Sequence, residues 1–157
     1  MNSKQLGNIT EVAVMLEFLK LGYNVLSPYG DCERYDFVVE INNHFYKIQV
    51  KTSKEKDGKI EFNTASTHYV DGKCVHDSYT KNEIDYFATM YKEKCYLIPV
   101  EICGGRTVSL RYELPKNNQT RGVKWLKDYE LGEVVKSFSW CLSNQCVEGS
   151  NPSGAAT

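Results

Sequence analysis

The stretch YDFVVEINNHFYKIQVK, Tyr35 to Lys51, decides how the rest of the chain is read. Two runs that alternate apolar and polar residues, YDFVVEI and HFYKIQVKT, flank Asn42-Asn43. Asparagine tolerates the left-handed backbone, so the pair predicts a two-residue type I′ turn and an antiparallel hairpin. In that register Asp36 lies opposite Gln49, and Lys51, two residues further on, shares their face. One face collects Phe37, Val39, Ile41, Tyr46, Ile48 and Val50, which is a core pattern. The other holds Asp36, Val38, Glu40, Lys47, Gln49 and Lys51. A slip of one residue would turn the charges into the core, so the apolar pattern fixes the register.

An acid, an amide and a lysine thus converge at one end of a sheet. Hard cations such as Mg²⁺ or Mn²⁺ take oxygen ligands and keep several waters. Asp36 offers a carboxylate, Gln49 a side-chain carbonyl and Val50 a backbone carbonyl. Lys51 is placed to orient an attacking water or to hold charge that develops on a phosphate. Glu11 adds a second carboxylate if its helix packs across the sheet. The plain alternative is a solvated strand face carrying an incidental Asp and Lys.

Outward from the hairpin, Ile9, Val12, Ala13, Leu16 and Leu19 recur at helical spacing between Lys4 and Leu21. Asn8 or Thr10 is the expected cap, and Gly22 stands where a glycine ends a helix. YNVLS reads as a short strand and SPYGDCER as turn chemistry. KIEFN, IDYFATMY, CYLIPVEI and TVSLRYE read as further strands. Thr64 to Lys81 reads as a loop in which Tyr69 and Tyr79 are expected to be buried, and Gly122 to Val135 as a second helix. The expected organisation is one domain over residues 1–140, with a Ser-, Gly-, Asn- and Pro-rich tail over 141–157.

The 157 residues and 41% hydrophobic content suit one compact core. The net charge of −1 excludes a global basic field, so nucleic acid must be met by a local patch. No apolar run reaches membrane-spanning length, and MNSKQLGNIT is not a signal peptide; no membrane association and a cytoplasmic setting are expected. The six cysteines include no CxxC and are expected to be reduced and mostly buried, with a zinc site at Cys74 and His76 as an alternative.

A helical Glu, a strand Asp and then Q-x-K on the next strand, in the order GNITEVAVMLEFLKLGYNV…YDFVVE…YKIQVKTS, resembles the PD-(D/E)XK nuclease superfamily. The resemblance covers residues 5 to 105 and includes the homing endonucleases encoded in group I introns of cyanobacterial tRNA genes. It implies an α/β (α+β) fold, a restriction-endonuclease-like core with a mixed central sheet flanked by helices. It also implies Glu11, Asp36, Gln49 and Lys51 as catalytic residues, with Asp36, Gln49, Glu11 and the Val50 carbonyl at a Mg²⁺. Two residues depart from the pattern. Tyr35 stands where Pro is common, and the neutral Gln49 stands at the second acid.

From Gly104 to Lys127 six cations meet one acid, Glu113, for a net charge of +5. Arg106, Arg111, Lys116, Arg121, Lys124 and Lys127 are the expected phosphate contacts, and Asn117, Asn118 and Gln119 the expected readers of base edges. The leading expectation is a Mg²⁺-dependent site-specific double-strand DNA endonuclease acting as a homo-oligomer, dimer or tetramer, because one centre cuts one strand. A Holliday-junction resolvase, a restriction-like nuclease and an inactive DNA-binding domain are the alternatives. The tail bears on the target. Glu148 to Ser153 can be encoded by GAAGGTTCGAATCCTTC, whose outer blocks are complementary around a tRNA T-loop pattern. That points to a frame running into a tRNA exon, and to an intronless tRNA gene as substrate.

Overall fold

A computed structural model describes residues 2–30, 32–115 and 119–145, with His68 and 139–145 described by backbone alone. Helix α1 (Ser3–Lys20) opens the chain. Its cap is Asn2, not Asn8 or Thr10: the Asn2 side chain accepts from the Gln5 N–H while Gln5 Oε1 accepts from the Asn2 N–H. Gly22, with φ 83°, follows the helix end as expected.

Strands β1 (Asn24–Leu26), β2 (Phe37–Ile41) and β3 (His44–Val50) form an antiparallel meander. Asn42 and Asn43 have φ of 52° and 63°, the left-handed pair that a type I′ turn requires. Phe37 pairs with Ile48, as the alternation predicts. β3 then pairs in parallel with β8 (Tyr86–Tyr91), which pairs with β9 (Lys94–Pro99), completing a mixed sheet in the order β1-β2-β3-β8-β9. A three-stranded sheet of β10 (Thr107–Arg111), β5 (Lys59–Asn63) and β4 (Lys54–Lys56) forms a second layer.

The central sheet is covered by helices on one face and, at β8 and β9, by the second sheet on the other. Val14 and Phe18 of α1, with Leu131 and Val135, cover Phe37, Val39, Ile48 and Leu97. Phe87 and Ile98 on the opposite face meet Ile60, Phe62, Val108 and Leu110 of the second sheet. Both helices therefore share one face, and a sheet lies on the other.

Five expectations are corrected. On α1 the buried positions are Thr10, Val14 and Phe18, whereas Ile9, Val12, Leu16 and Leu19 are exposed. Helical periodicity marks an apolar row but not which row meets the sheet. Residues 64–81 are mostly strand: β6 (Ala65–Val70) and β7 (Lys73–Ser78) form a separate hairpin. Its polar residues on both faces hid the period-two pattern. Tyr69, on that hairpin, is exposed rather than buried. The second helix, α2, runs from Leu131 to Gln145, nine residues later than expected at its start; Leu126–Tyr129 forms a 3-10 turn instead. Of the cysteines with described side chains, Cys95 is buried, Cys103 is half-buried, and Cys32 and Cys74 are exposed, so burial is not the rule.

Candidate active site

Asp36 sits at the mouth of the β2–β3 hairpin, where the backbone holds it from two directions. Its own N–H donates to the Ile48 carbonyl at 2.8 Å, extending the ladder one residue beyond β2. Its Oδ2 accepts the Val50 N–H and the Gln49 Nε2, each at 2.6 Å. Gln49 is buried and also donates to the Val50 carbonyl at 3.3 Å. Asp36, Gln49 and Lys51 thus converge as the register predicts. The Gln49 amide turns its nitrogen, rather than its carbonyl, toward Asp36 and Val50.

Burial raises the Asp36 pKa above the ordinary carboxylate value, against the lowering effects of the Val50 N–H, Lys51 and Gln49. Glu11 comes across from α1. Its pKa is raised too, first by burial and then by the charge of Asp36. Glu11, Glu33, Tyr35 and Asp36 line a cavity of about 240 Å³ with Pro28 and Gly30. Thr10 ties the same turn of α1 to the end of β3, its Oγ1 lying 3.2 Å from Thr52 Oγ1.

Lys51 leaves β3 with its backbone N–H on the Ala88 carbonyl at 2.9 Å. Burial lowers its pKa; Asp36 opposes that shift and Arg34 adds to it. Its ammonium donates to the Tyr79 hydroxyl at 3.4 Å. Tyr79 and Arg34 were not singled out as site residues by sequence reasoning. Arg34 precedes the hairpin by one residue, and Tyr79 lies 28 positions from Lys51, so no spacing joins them.

The donor set suits a hard divalent ion. Two carboxylates, each raised toward protonation and one by the other's charge, gain from a shared cation, and carbonyl or water oxygens fill the remaining positions. Among the described residues no three His, Cys, Asp or Glu side chains are grouped so as to hold a metal ion by themselves, although Glu33 shares the cavity lining with Glu11 and Asp36. Cys74 Sγ and His76 Nε2 lie 3.7 Å apart on the exposed hairpin, away from this set.

The expected DNA-contacting residues divide. Arg106, Arg121, Lys124, Lys127 and Gln119 are exposed. Arg111 is half-buried, its guanidinium near the carbonyls of Asp57 and Glu113 and its N–H on the Lys124 carbonyl. Arg106 precedes β10, at the end nearest β6, and its carbonyl accepts the Thr64 N–H; Arg111 closes the opposite end of β10. Lys116, Asn117 and Asn118 lie outside the described residues, as do residues 146–157 of the expected tail.

A mixed five-stranded sheet with an acid, an amide and a lysine at the end of one hairpin defines a nuclease core. The chain belongs to the PD-(D/E)XK endonuclease family, whose model matches residues 1–132. Members of that family generally use divalent metal ions. Protein 5.3 of Escherichia phage T7 is 29% identical over 109 residues, covering 68% of this chain and 89% of that protein. The solved structure of the bacterial homing endonuclease I-Ssp6803I superposes with a TM-score of 0.70, covering 96% of this chain and all of that one. At 24% identity the likeness to it is one of fold. No helix is long and apolar enough to cross a membrane among the described residues.

Proposed function

We propose that this nuclease is a cytoplasmic homing endonuclease that makes a double-strand break in an intronless tRNA gene by Mg²⁺-dependent phosphodiester hydrolysis. The observation that carries the chemistry is Asp36, held by the Val50 N–H and the Gln49 amide, with Glu11 and Lys51 at the same end of the sheet. Asp36 and Glu11 are the residues to hold Mg²⁺ or Mn²⁺, with the Val50 carbonyl beside them. In the ion-free protein the Gln49 amide donates to Asp36; its carbonyl would reach the ion only with the amide turned over and that hydrogen bond given up. A bound divalent ion supplies Lewis acidity and lowers the pKa of water.

The protein's own groups do the rest. Asp36 is rigid because two donors fix one of its oxygens, so its position is set before substrate arrives. The Lys51 ammonium faces the scissile phosphate and stabilises the charge that grows on its oxygens as water attacks phosphorus and a P–O bond breaks. The basic segment of residues 104–127 follows the DNA backbone. One centre per chain cuts one strand, which asks for a homo-oligomer. The exposed apolar row of Ile9, Val12, Leu16 and Leu19 is a surface suited to a second copy.

The target reading rests on the codons permitted by Glu148 to Ser153 and on the homing activity in the name of the structural neighbour. Two plasmids test it, one carrying an intronless tRNA gene and the other its intron-interrupted allele. Mg²⁺-dependent linearisation of the first alone is expected. Equal cutting of both would remove the homing reading and leave the nuclease. No cutting of either, with DNA still bound, would favour the inactive binding domain.

A further inference from the structure

The Lys51 ammonium lies 3.4 Å from the Tyr79 hydroxyl and 5.0 Å from the centre of its ring. Tyr79 follows β7 and is itself fixed. Its ring meets Phe87 edge-on at 5.3 Å, and Phe87 is the β8 residue paired with Gln49. The Arg34 guanidinium lies 4.3 Å from the same ring centre. Arg34 is in turn anchored by Glu83 Oε1 at 3.2 Å, by Ser66 Oγ and the Asp77 carbonyl at 3.3 Å, and by Asp77 Oδ2 at 3.9 Å.

This arrangement answers a problem that a lysine creates. Its four-carbon stem is flexible, and a displacement of about 1 Å can cost about a hundredfold in rate. A carboxylate partner would hold the ammonium but would also neutralise it and draw it from a phosphate. A phenol accepts one of its three hydrogen bonds, offers the negative face of its ring, and leaves the charge in place. Arg34, balanced by Asp77 and Glu83, keeps the ring from turning away.

We propose that Tyr79, braced by Arg34 and Phe87, is a positioning residue that holds the ammonium of Lys51 in the cleavage site. The proposal rests on the nuclease reading of Lys51. Tyr79→Phe keeps the ring and its contact with Phe87 and removes the hydroxyl, which also interacts with Arg34. Single-turnover cleavage of the intronless-gene plasmid is expected to slow about tenfold, the effect of one charge-assisted hydrogen bond, with DNA affinity unchanged. In a Lys51→Ala background the same change should cost nothing further, because Tyr79 acts through Lys51. A readout without activity accompanies these: the Lys51 side-chain ¹⁵N signal of the metal-free protein should show a more mobile ammonium in Tyr79→Phe. Wild-type cleavage in Tyr79→Phe while Lys51→Ala is inactive would overturn the positioning role, as would an ammonium of unchanged order. Full activity in Lys51→Ala would instead overturn the nuclease assignment of Lys51, and the ammonium signal still decides whether Tyr79 holds it.

Discussion

Four hairpins among the described residues turn on the same backbone device, and two of them, β2–β3 and β6–β7, differ most in what surrounds them. Asn42 and Asn43 close β2–β3 with φ of 52° and 63°; Asp71 and Gly72 close β6–β7 with φ of 50° and 74°. The first is gripped on both sides, by β1 and by β8, and one of its faces is buried. The second forms a two-stranded sheet of its own, tied to the body through Arg34 and the buried Thr64 and Ala65. An isolated ribbon is marginally stable, whereas a hairpin set in a sheet holds a side chain to a fraction of an ångström. The proposed chemistry sits on the gripped hairpin, and the ungripped one reaches it through Tyr79 and through Arg34, which Ser66 and Asp77 hold.

The comparison breaks most sharply at Asp36 and Lys51. Asp36→Asn and Lys51→Ala should each lower cleavage by a factor of about 100 to 1,000. Asn still accepts the Val50 N–H, so that variant should melt near wild type. Asp36→Ala should lose a further ~1–2 kcal/mol of stability, since it strands two donors. Changes at the tip of the other hairpin, such as Val70→Thr, should leave the rate unaltered in the same assay. A large loss there would mean that the ungripped hairpin also carries chemistry.

The turns sharpen it next. Asn43→Ala places an alanine in the left-handed region and should cost about 1 kcal/mol of global stability, read from the denaturant midpoint. Asp71→Ala is strained by the same geometry, but its cost should stay local: faster amide exchange in β6–β7 with an unmoved midpoint. On the basic segment, Arg121→Ala with Lys124→Ala should lower the salt slope of DNA binding by about 0.9 for each phosphate that is no longer neutralised. An unchanged slope moves the interface elsewhere.

The smallest effect is at the brace. Glu83 has its pKa lowered, first by the Thr80 N–H and also by the Thr80 hydroxyl and Arg34, against burial. A carboxyl depressed in the folded state stabilises above its unfolded pKa, and that contribution is lost as pH falls through the folded value. Glu83→Gln should therefore melt slightly below wild type at neutral pH. The gap should close in acid below about pH 4, the ordinary carboxylate range. A gap that persists at low pH would place the effect in packing rather than charge.

What was legible follows the same division. The β2–β3 register, the buried face of Phe37, Val39 and Ile48, and the meeting of Asp36 with Gln49 could all be read, because a two-residue turn and period-two alternation are local facts. The β6–β7 hairpin could not, since with little apolar surface on either face its pairing leaves no alternation. α1 was found, but its packing face was missed: Val14 and Phe18 are fewer than the apolar residues left outside. Tyr79 and Arg34 reach Lys51 through tertiary folding alone, and no spacing encodes that.

The parallel pairing of β3 with β8 has a consequence for how the protein is made. Lys51 is anchored through the Ala88 carbonyl, and the chain must be built 37 residues past Lys51 before that partner exists. A ribosome adding about 5 to 20 residues per second takes several seconds over that interval. During it the β2–β3 hairpin has its turn and its alternation but no seat for its final residues. Non-local pairing of this kind is slow to form in any chain. The nascent polypeptide therefore carries Glu11, Asp36, Gln49 and Lys51, the four side chains of the proposed site, before the strand that seats Lys51 has been made.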